Sequence, residues 1–136
     1  MYTLLEHPSD IGVEVYSDSL AHAFEEAVAG LFGIILDLSQ VEPKHQKKFV
    51  IEAGDKEQLL VRWVGEVLFI FDSKGFIPKK TTVISLTDSS LKAIIDGDYY
   101  SQISHQTKVD VKAITYHQLI VREDQDGAYV RFFVDI

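Results

Sequence analysis

The spacing of hydrophobic positions changes twice along this chain. Between Tyr2 and Tyr16 the pattern alternates. Tyr2–Glu6 reads as a short strand and Pro8 breaks it. Ile11, Val13 and Val15 then fall on one face of a second strand from Ile11 to Tyr16. From Leu20 the period lengthens. Leu20, Phe24, Val28 and Leu31 recur at spacings of three and four, with Ala23, Ala27 and Ile35 widening the stripe, which predicts a helix from Leu20 to about Leu36. Ser17-Asp18-Ser19 stands before it and offers side-chain oxygens to the unpaired N–H groups of the first turn. Glu25 and Glu26 mark its wetter side. Gly30 and Gly33 weaken the last turns, so close packing against them or an early end is expected.

Pro43 to Lys48 reads as a polar loop and Phe49-Val50-Ile51 as a strand. Asp55-Lys56-Glu57-Gln58 fits a capping box, with Asp55 as N-cap and Gln58 reaching back. The helix it opens runs from Lys56 to about Phe71. Its apolar stripe includes Leu60, Trp63, Val64, Val67 and Phe71, wide enough to make it the central core element, while Arg62 and Glu66 are spaced to pair on its wet side. After Lys74-Gly75 the alternation returns. Thr82–Leu86 and Leu91–Ile95 read as strands around a turn at Thr87–Ser90, followed by a turn at Asp96-Gly97-Asp98. Val111–Arg122 is a long strand, Glu123–Gly127 a turn, and Tyr129–Ile136 the last strand. Two helices among antiparallel strands predict an α+β fold, with antiparallel sheets layered with the helices in one domain over residues 1–136.

Composition narrows the function classes. With 136 residues, 46% of them hydrophobic, the chain can fill a core and is not disordered. The absence of cysteine excludes a disulfide framework, a thiol nucleophile and an iron–sulfur cluster. Lys and Arg number 13 against 21 Asp and Glu, a net charge of −8. That balance disfavours tight direct binding to nucleic acid and suits a basic partner surface or bound cations. No signal-type or bilayer-spanning apolar run occurs, so no membrane association and a cytoplasmic location are expected.

Three segments carry candidate chemistry. His7-Pro8-Ser9-Asp10-Ile11 places a histidine and an aspartate at a turn entering a strand, where they can converge on a ligand or simply close the turn. In Lys112-Ala113-Ile114-Thr115-Tyr116-His117, strand alternation sends Lys112, Ile114 and Tyr116 one way and Ala113, Thr115 and His117 the other. Lys112 can bind phosphate or carboxylate and His117 can carry a proton, or the segment has one core face and one solvated face. At the end, the Asp135 side chain lies beside the Ile136 α-carboxylate. Were Asp10 on a neighbouring strand, three carboxylates would meet and require protonation, a lysine or a hard cation such as Mg²⁺, Ca²⁺ or Mn²⁺. A frayed terminus is the alternative. Asp96-Gly97-Asp98 lacks the rest of a calcium loop, and His22, His45 and His105 read as surface residues without ligand spacing. Lys44, Lys47 and Lys48 form a small basic cluster expected to be solvated. No nucleophile–base pair, phosphate-binding glycine loop or HExxH pair is present.

In order, these segments resemble the archease family. The likeness rests on His7 to Ile11, on Ser-Leu-x-x-Ala-Phe-x-x-Ala from Ser19 to Ala27, and on LVRWVGEVLFIFD from Leu60 to Asp72. Lys-Ala-Ile-Thr-Tyr-His from Lys112 to His117 and the final Val134-Asp135-Ile136 complete it. Pro8-Ser9 stands where Thr-Ala is common in the family and Val134 where Phe is typical; neither touches Asp10, Lys112, His117 or Asp135. The resemblance implies a small cytoplasmic α+β protein of β/β/α layering, similar to part of the Hsp33 fold. It implies an activator of an RtcB-type RNA ligase in tRNA splicing and RNA repair, not an enzyme itself. Such an activator promotes metal- and GTP-dependent guanylylation of the ligase and its multiple turnover, and meets GTP and RNA only through the ligase. The resemblance further implies a metal site at Asp10, Asp135 and Ile136 for Ca²⁺, Mg²⁺ or Mn²⁺. Lys112, His117 and His7 would serve ligase activation, and no catalytic residue is expected. A chaperone-like interaction module with a purely structural ion is the alternative; a stand-alone metal-dependent hydrolase and a direct RNA binder are less favoured.

Overall fold

The computed structural model describes residues 1–6 and 9–136. The elements are β1 (Tyr2–Glu6), β2 (Asp10–Ser17), α1 (Leu20–Ile35), β3 (His45–Glu52) and α2 (Lys56–Lys74). They continue with β4 (Phe76–Leu86), β5 (Ser90–Tyr99), β6 (Ala113–Asp124) and β7 (Gly127–Asp135), and a short 3₁₀ turn covers Leu38–Gln40. The strands form two antiparallel sheets, β1-β2-β7-β6 and β3-β5-β4. α1 packs on β1, β2 and β7 of the first sheet and on β4 of the second; α2 packs on β6 and on all three strands of the second. The fold is α+β, as the sequence predicts.

Local chemistry fixes the helices. Ser19 caps α1 by accepting the His22 backbone N–H at 3.1 Å, and Glu123 of β6 accepts the N–H of Leu20 at 2.9 Å. The helix does not end early at its glycines. The Tyr2 side chain packs onto them, so closely that a Cβ at Gly33 would lie 2.7 Å from the Tyr2 hydroxyl. Asp55 accepts the Gln58 N–H at 2.8 Å, but Gln58 reaches back to the N–H of Gly54 rather than of Asp55. α2 continues to Lys74 and stops at Gly75, whose left-handed backbone returns its N–H to Phe71. Trp63 is fully buried and donates its indole N–H to the Phe24 carbonyl at 2.9 Å, joining the two helices inside one continuous core. Among the described residues no helix is long and apolar enough to cross a membrane.

Five expectations need correction. β3 starts at His45, because Gln46, Lys47 and Lys48 pair with Asp96, Ile95 and Ile94 of β5, and an edge strand tolerates polar side chains. Asp96-Gly97-Asp98 is no turn but lies within β5, where all three residues pair with β4 and Asp96 and Gly97 also close the pairing with β3. Gly97 sits between His45 and Pro78, and a Cβ there would lie 2.0 Å from the Ile77 carbonyl oxygen. Arg62 does not pair with Glu66; its guanidinium donates to the Glu52 carbonyl of β3 at 2.8 Å. His105 is buried, with Nδ1 accepting the Ser101 N–H at 2.9 Å. Glu25, expected in water, accepts the N–H of Val83 on β4 at 2.8 Å.

His22 titrates in a defined setting. Its Nδ1 meets the Asp18 carboxylate at 2.5 Å. That hydrogen bond and the charge of Asp18, with Glu25 and Glu26 adding to it, raise His22 above its ordinary 6.5, and the same bond lowers Asp18 below 3.8. The histidine's contribution to stability is therefore present below about pH 6.5 and is lost as pH rises through its raised value. The aspartate's contribution is present above 3.8 and is lost as pH falls through its lowered value. An NMR titration should find His22 above 6.5 in the native protein and lower in Asp18→Asn; an unchanged value in that variant would contradict the pairing.

Candidate functional site

The candidate residues gather at one end of the four-stranded sheet. β2 and β7 run antiparallel with Asp10 directly opposite Asp135, and β6 places Ala113 opposite Asp135 from the other side. Side chains directly opposite share a face, with Cβ atoms about 4.5–5.5 Å apart. The next position inward, Ile11–Val134–Ile114, points to the core, where Val134 is fully buried. The two carboxylates therefore project from the face turned away from the helices. Asp10 is half-buried and Asp135 exposed. Among the described residues no side-chain hydrogen bond or ion pair engages either carboxylate. Two like charges thus face each other across neighbouring strands, and Ile136 follows one residue further on.

This donor set is all oxygen and anionic, the chemistry that suits a hard divalent cation. Among the described residues no three His, Cys, Asp or Glu side chains form a metal-holding group. An ion here would draw on the two opposed side chains. His7 lies outside the described residues.

The same face carries His117, two rows inward. Gly12 and Thr115 both stand opposite Phe133. A Cβ at Gly12 would lie 2.7 Å from the Phe133 ring, so the ring packs directly over this glycine. Against the ring, at 5.6 Å between centroids, lies the imidazole of His117, whose backbone N–H donates to Thr115 Oγ1 at 3.2 Å. Regular pairing of β6 with β7 breaks between Thr115 and Ile120, forming a bulge. Gln118 adopts a φ of 50°, and Arg131 Nε donates to its carbonyl at 2.9 Å. Bulges re-aim side chains; this one turns His117 onto the Phe133 ring.

Lys112 occupies the other side. Its backbone N–H donates to the Asp135 carbonyl at 2.9 Å, tying the approach to β6 to the end of β7. Its exposed side chain lines a cleft of about 290 Å³ against α2, with Leu68, Phe69, Asp72 and Ala113. Partial desolvation, with repulsion from Asp110 adding to it, holds Asp72 above the usual carboxylate value. The structure thus brings Asp10, Asp135 and His117 to one face and sets Lys112 at the same sheet end on the helix side. Sequence reasoning missed the bulge, the Arg131 brace, the Phe133 platform and Asp72. The run Tyr116-His117-Gln118, which interrupts the apolar alternation of β6, was the available signal for the bulge.

Known proteins resemble the chain along its whole length. The model of the Archease protein family matches residues 2–136. A protein archease of Pyrobaculum neutrophilum is 34% identical over 99% of this chain and 95% of its own. One of Thermococcus gammatolerans is 36% identical over 95% of this chain and 93% of its own. The solution structure of protein 1598 of Methanobacterium thermoautotrophicum superimposes with a TM-score of 0.83 at 25% identity, covering 99% of this chain and 98% of that one. The crystal structure of a Thermotoga maritima archease, described as a possible chaperone, shares the fold with a TM-score of 0.64 at 20% identity, covering 100% of this chain and 98% of that one.

Proposed function

Because the chain belongs to the archease family, we propose that it serves as the activating protein cofactor of an RtcB-type RNA ligase, and that the opposed Asp10 and Asp135 carboxylates form its working end. The observation that carries this reading is the strand register that sets the two aspartates face to face, with neither carboxylate in an ion pair among the described residues. Such a pair is costly unless it serves a ligand.

In this reading Asp10, Asp135 and the Ile136 α-carboxylate hold a divalent ion, Mg²⁺, Mn²⁺ or Ca²⁺. When bound, such an ion would supply positive charge suited to phosphate oxygens. The chain's residues do the positioning. Strands β2 and β7 hold the aspartates on packed backbone, and the Phe133 ring fixes His117 on the same face. Lys112 presents an ammonium at the same end, suited to a phosphate or to a carboxylate of the ligase. The net charge of −8 favours encounter with a basic, RNA-binding cleft and makes that encounter salt-sensitive. The protein acts in the cytoplasm and meets GTP and RNA through the ligase.

The test is RNA joining by the cognate ligase with RNA in excess. Added protein should convert a single round of joining into many, and Lys112→Ala should lower the rate while leaving the fold intact. If joining runs at the same rate with and without the protein, the activator reading fails.

A further inference from the structure

The free edge of β3 stands apart from every other sheet edge in this fold. Edge strands expose unpaired backbone groups, and proteins usually block them. β4 is blocked three ways: Pro78 has no N–H, the register with β5 shifts twice, and Glu25 occupies the Val83 N–H. β6 carries the bulge braced by Arg131. β1 is only five residues long. β3 has eight residues in unbroken register with β5 and contains no proline.

Its backbone polarity can be read directly. The Ala53 N–H donates to Ser89 on the β5 side, whereas the Glu52 carbonyl faces away and accepts from Arg62. Backbone direction alternates along an antiparallel strand, so Gln46, Lys48, Val50 and Glu52 turn their N–H and C=O groups to the free edge. Beside this edge runs an open groove of about 850 Å³ between β3 and α2. Its helix side is shallow at Gly65, where a Cβ would meet nothing within 4 Å. Val50 is 65% exposed here, with Lys48 and Glu52 exposed on either side.

We propose that this edge pairs with the same edge of a second copy of the chain, joining the two three-stranded sheets into one. Val50 then lies opposite the second copy's Val50, Lys48 opposite the second copy's Glu52, and Glu52 opposite the second copy's Lys48. The two strands run antiparallel about a two-fold axis. Every residue in these three pairs directs its backbone to the free edge, so the register and the hydrogen-bonding parity agree. Charge complementarity selects this occupant: the pattern Lys-x-Val-x-Glu is its own complement when reversed, with an apolar pair flanked by two opposite-charge pairs. On pairing, Arg62 yields the Glu52 carbonyl to the incoming strand. The edge belongs to the other sheet from Asp10 and Asp135 and lies on the other flank of α2 from the Lys112 cleft, so the pairing does not depend on the activator reading.

Sedimentation velocity over a wide protein concentration range tests the proposal, at moderate salt because a net charge of −8 on each copy opposes association. The native protein should show a concentration-dependent monomer–dimer equilibrium. Lys48→Glu and Glu52→Lys should each weaken it by about tenfold or more, because each sets like charges opposite at both ends. An equimolar mixture of the two variants should restore the dimer, since opposite charges then meet at both ends. Far-UV circular dichroism checks that both variants fold. A monomer at every concentration would overturn the proposal and leave the edge to an extended segment of another protein. Dimerisation of both single variants at native strength, or a mixture that stays monomeric, would overturn it equally.

Discussion

Trp63→Ala is expected to lose about 3–5 kcal/mol of folding stability. A domain of this kind has roughly 5–15 kcal/mol in total, so the loss takes a large share of it. Trp63 is fully buried, its ring meets Phe49 edge-on at 5.6 Å, and its indole N–H bonds to the carbonyl of Phe24. Truncation removes the transfer free energy of the largest fully buried side chain and leaves a cavity walled by two helices and β3 that cannot close freely. Trp63→Phe separates the contributions. It keeps much of the packing and removes the hydrogen bond, whose net worth is about 1 kcal/mol. Urea unfolding of both variants measures the difference. A loss near 1 kcal/mol for Trp63→Ala would mean that this residue does not hold α1, α2 and β3 together.

Asp10→Asn and Asp135→Asn should move stability and function in opposite directions. Each variant keeps the shape of the side chain and removes one of two like charges directly opposite on adjacent strands. Without divalent cations, relief of that repulsion should raise stability by a few tenths of a kcal/mol, up to about 1, with solvent screening favouring the lower end because Asp135 is exposed. With Mg²⁺, Mn²⁺ or Ca²⁺ added, the native protein should gain melting temperature through preferential binding to the folded state, and both variants should lose most of that gain. Ligase stimulation should fall to the rate of the ligase alone. Scanning calorimetry with chelator and then with each ion measures the first two effects. Variants that are less stable than the native protein in chelator would show that no repulsion is stored there.

The helices were legible because their information is local. The Leu20–Ile35 stripe, the Ser19 and Asp55 caps and the glycine stop at Gly75 all sit within a few residues of what they control. The first half of β3 and the long reach of β5 were not legible, since a run such as His45-Gln46-Lys47-Lys48 becomes a strand only when β5 lies beside it. Asp96-Gly97-Asp98 has the residues of a turn, and only the approach of Ile77 to Gly97 shows why glycine stands in a strand. His105 read as a surface residue because nothing in the sequence records the Ser101 N–H that satisfies its ring. The site divides in the same way. Asp10, Lys112, His117 and Asp135 stood out as residue types in their segments. The facing of Asp10 and Asp135 depends on the register of β2 with β7, strands from opposite ends of the chain, which no local pattern carries. The bulge at Tyr116–Leu119 depends on Arg131 of the neighbouring strand and lacks the glycine that would have announced it.

The opposed carboxylates of Asp10 and Asp135 are proposed to let this chain activate an RNA ligase. The most direct measurement is the rate of guanylylation of the cognate RtcB-type ligase by GTP and Mn²⁺, with the protein at substoichiometric amounts. The native chain should accelerate guanylylation through many rounds, and Asp10→Asn and Asp135→Asn, folded and equally soluble, should leave the ligase at its unassisted rate. Stimulation that survives in both variants, or no stimulation by the native chain of a ligase that is itself active, would contradict it.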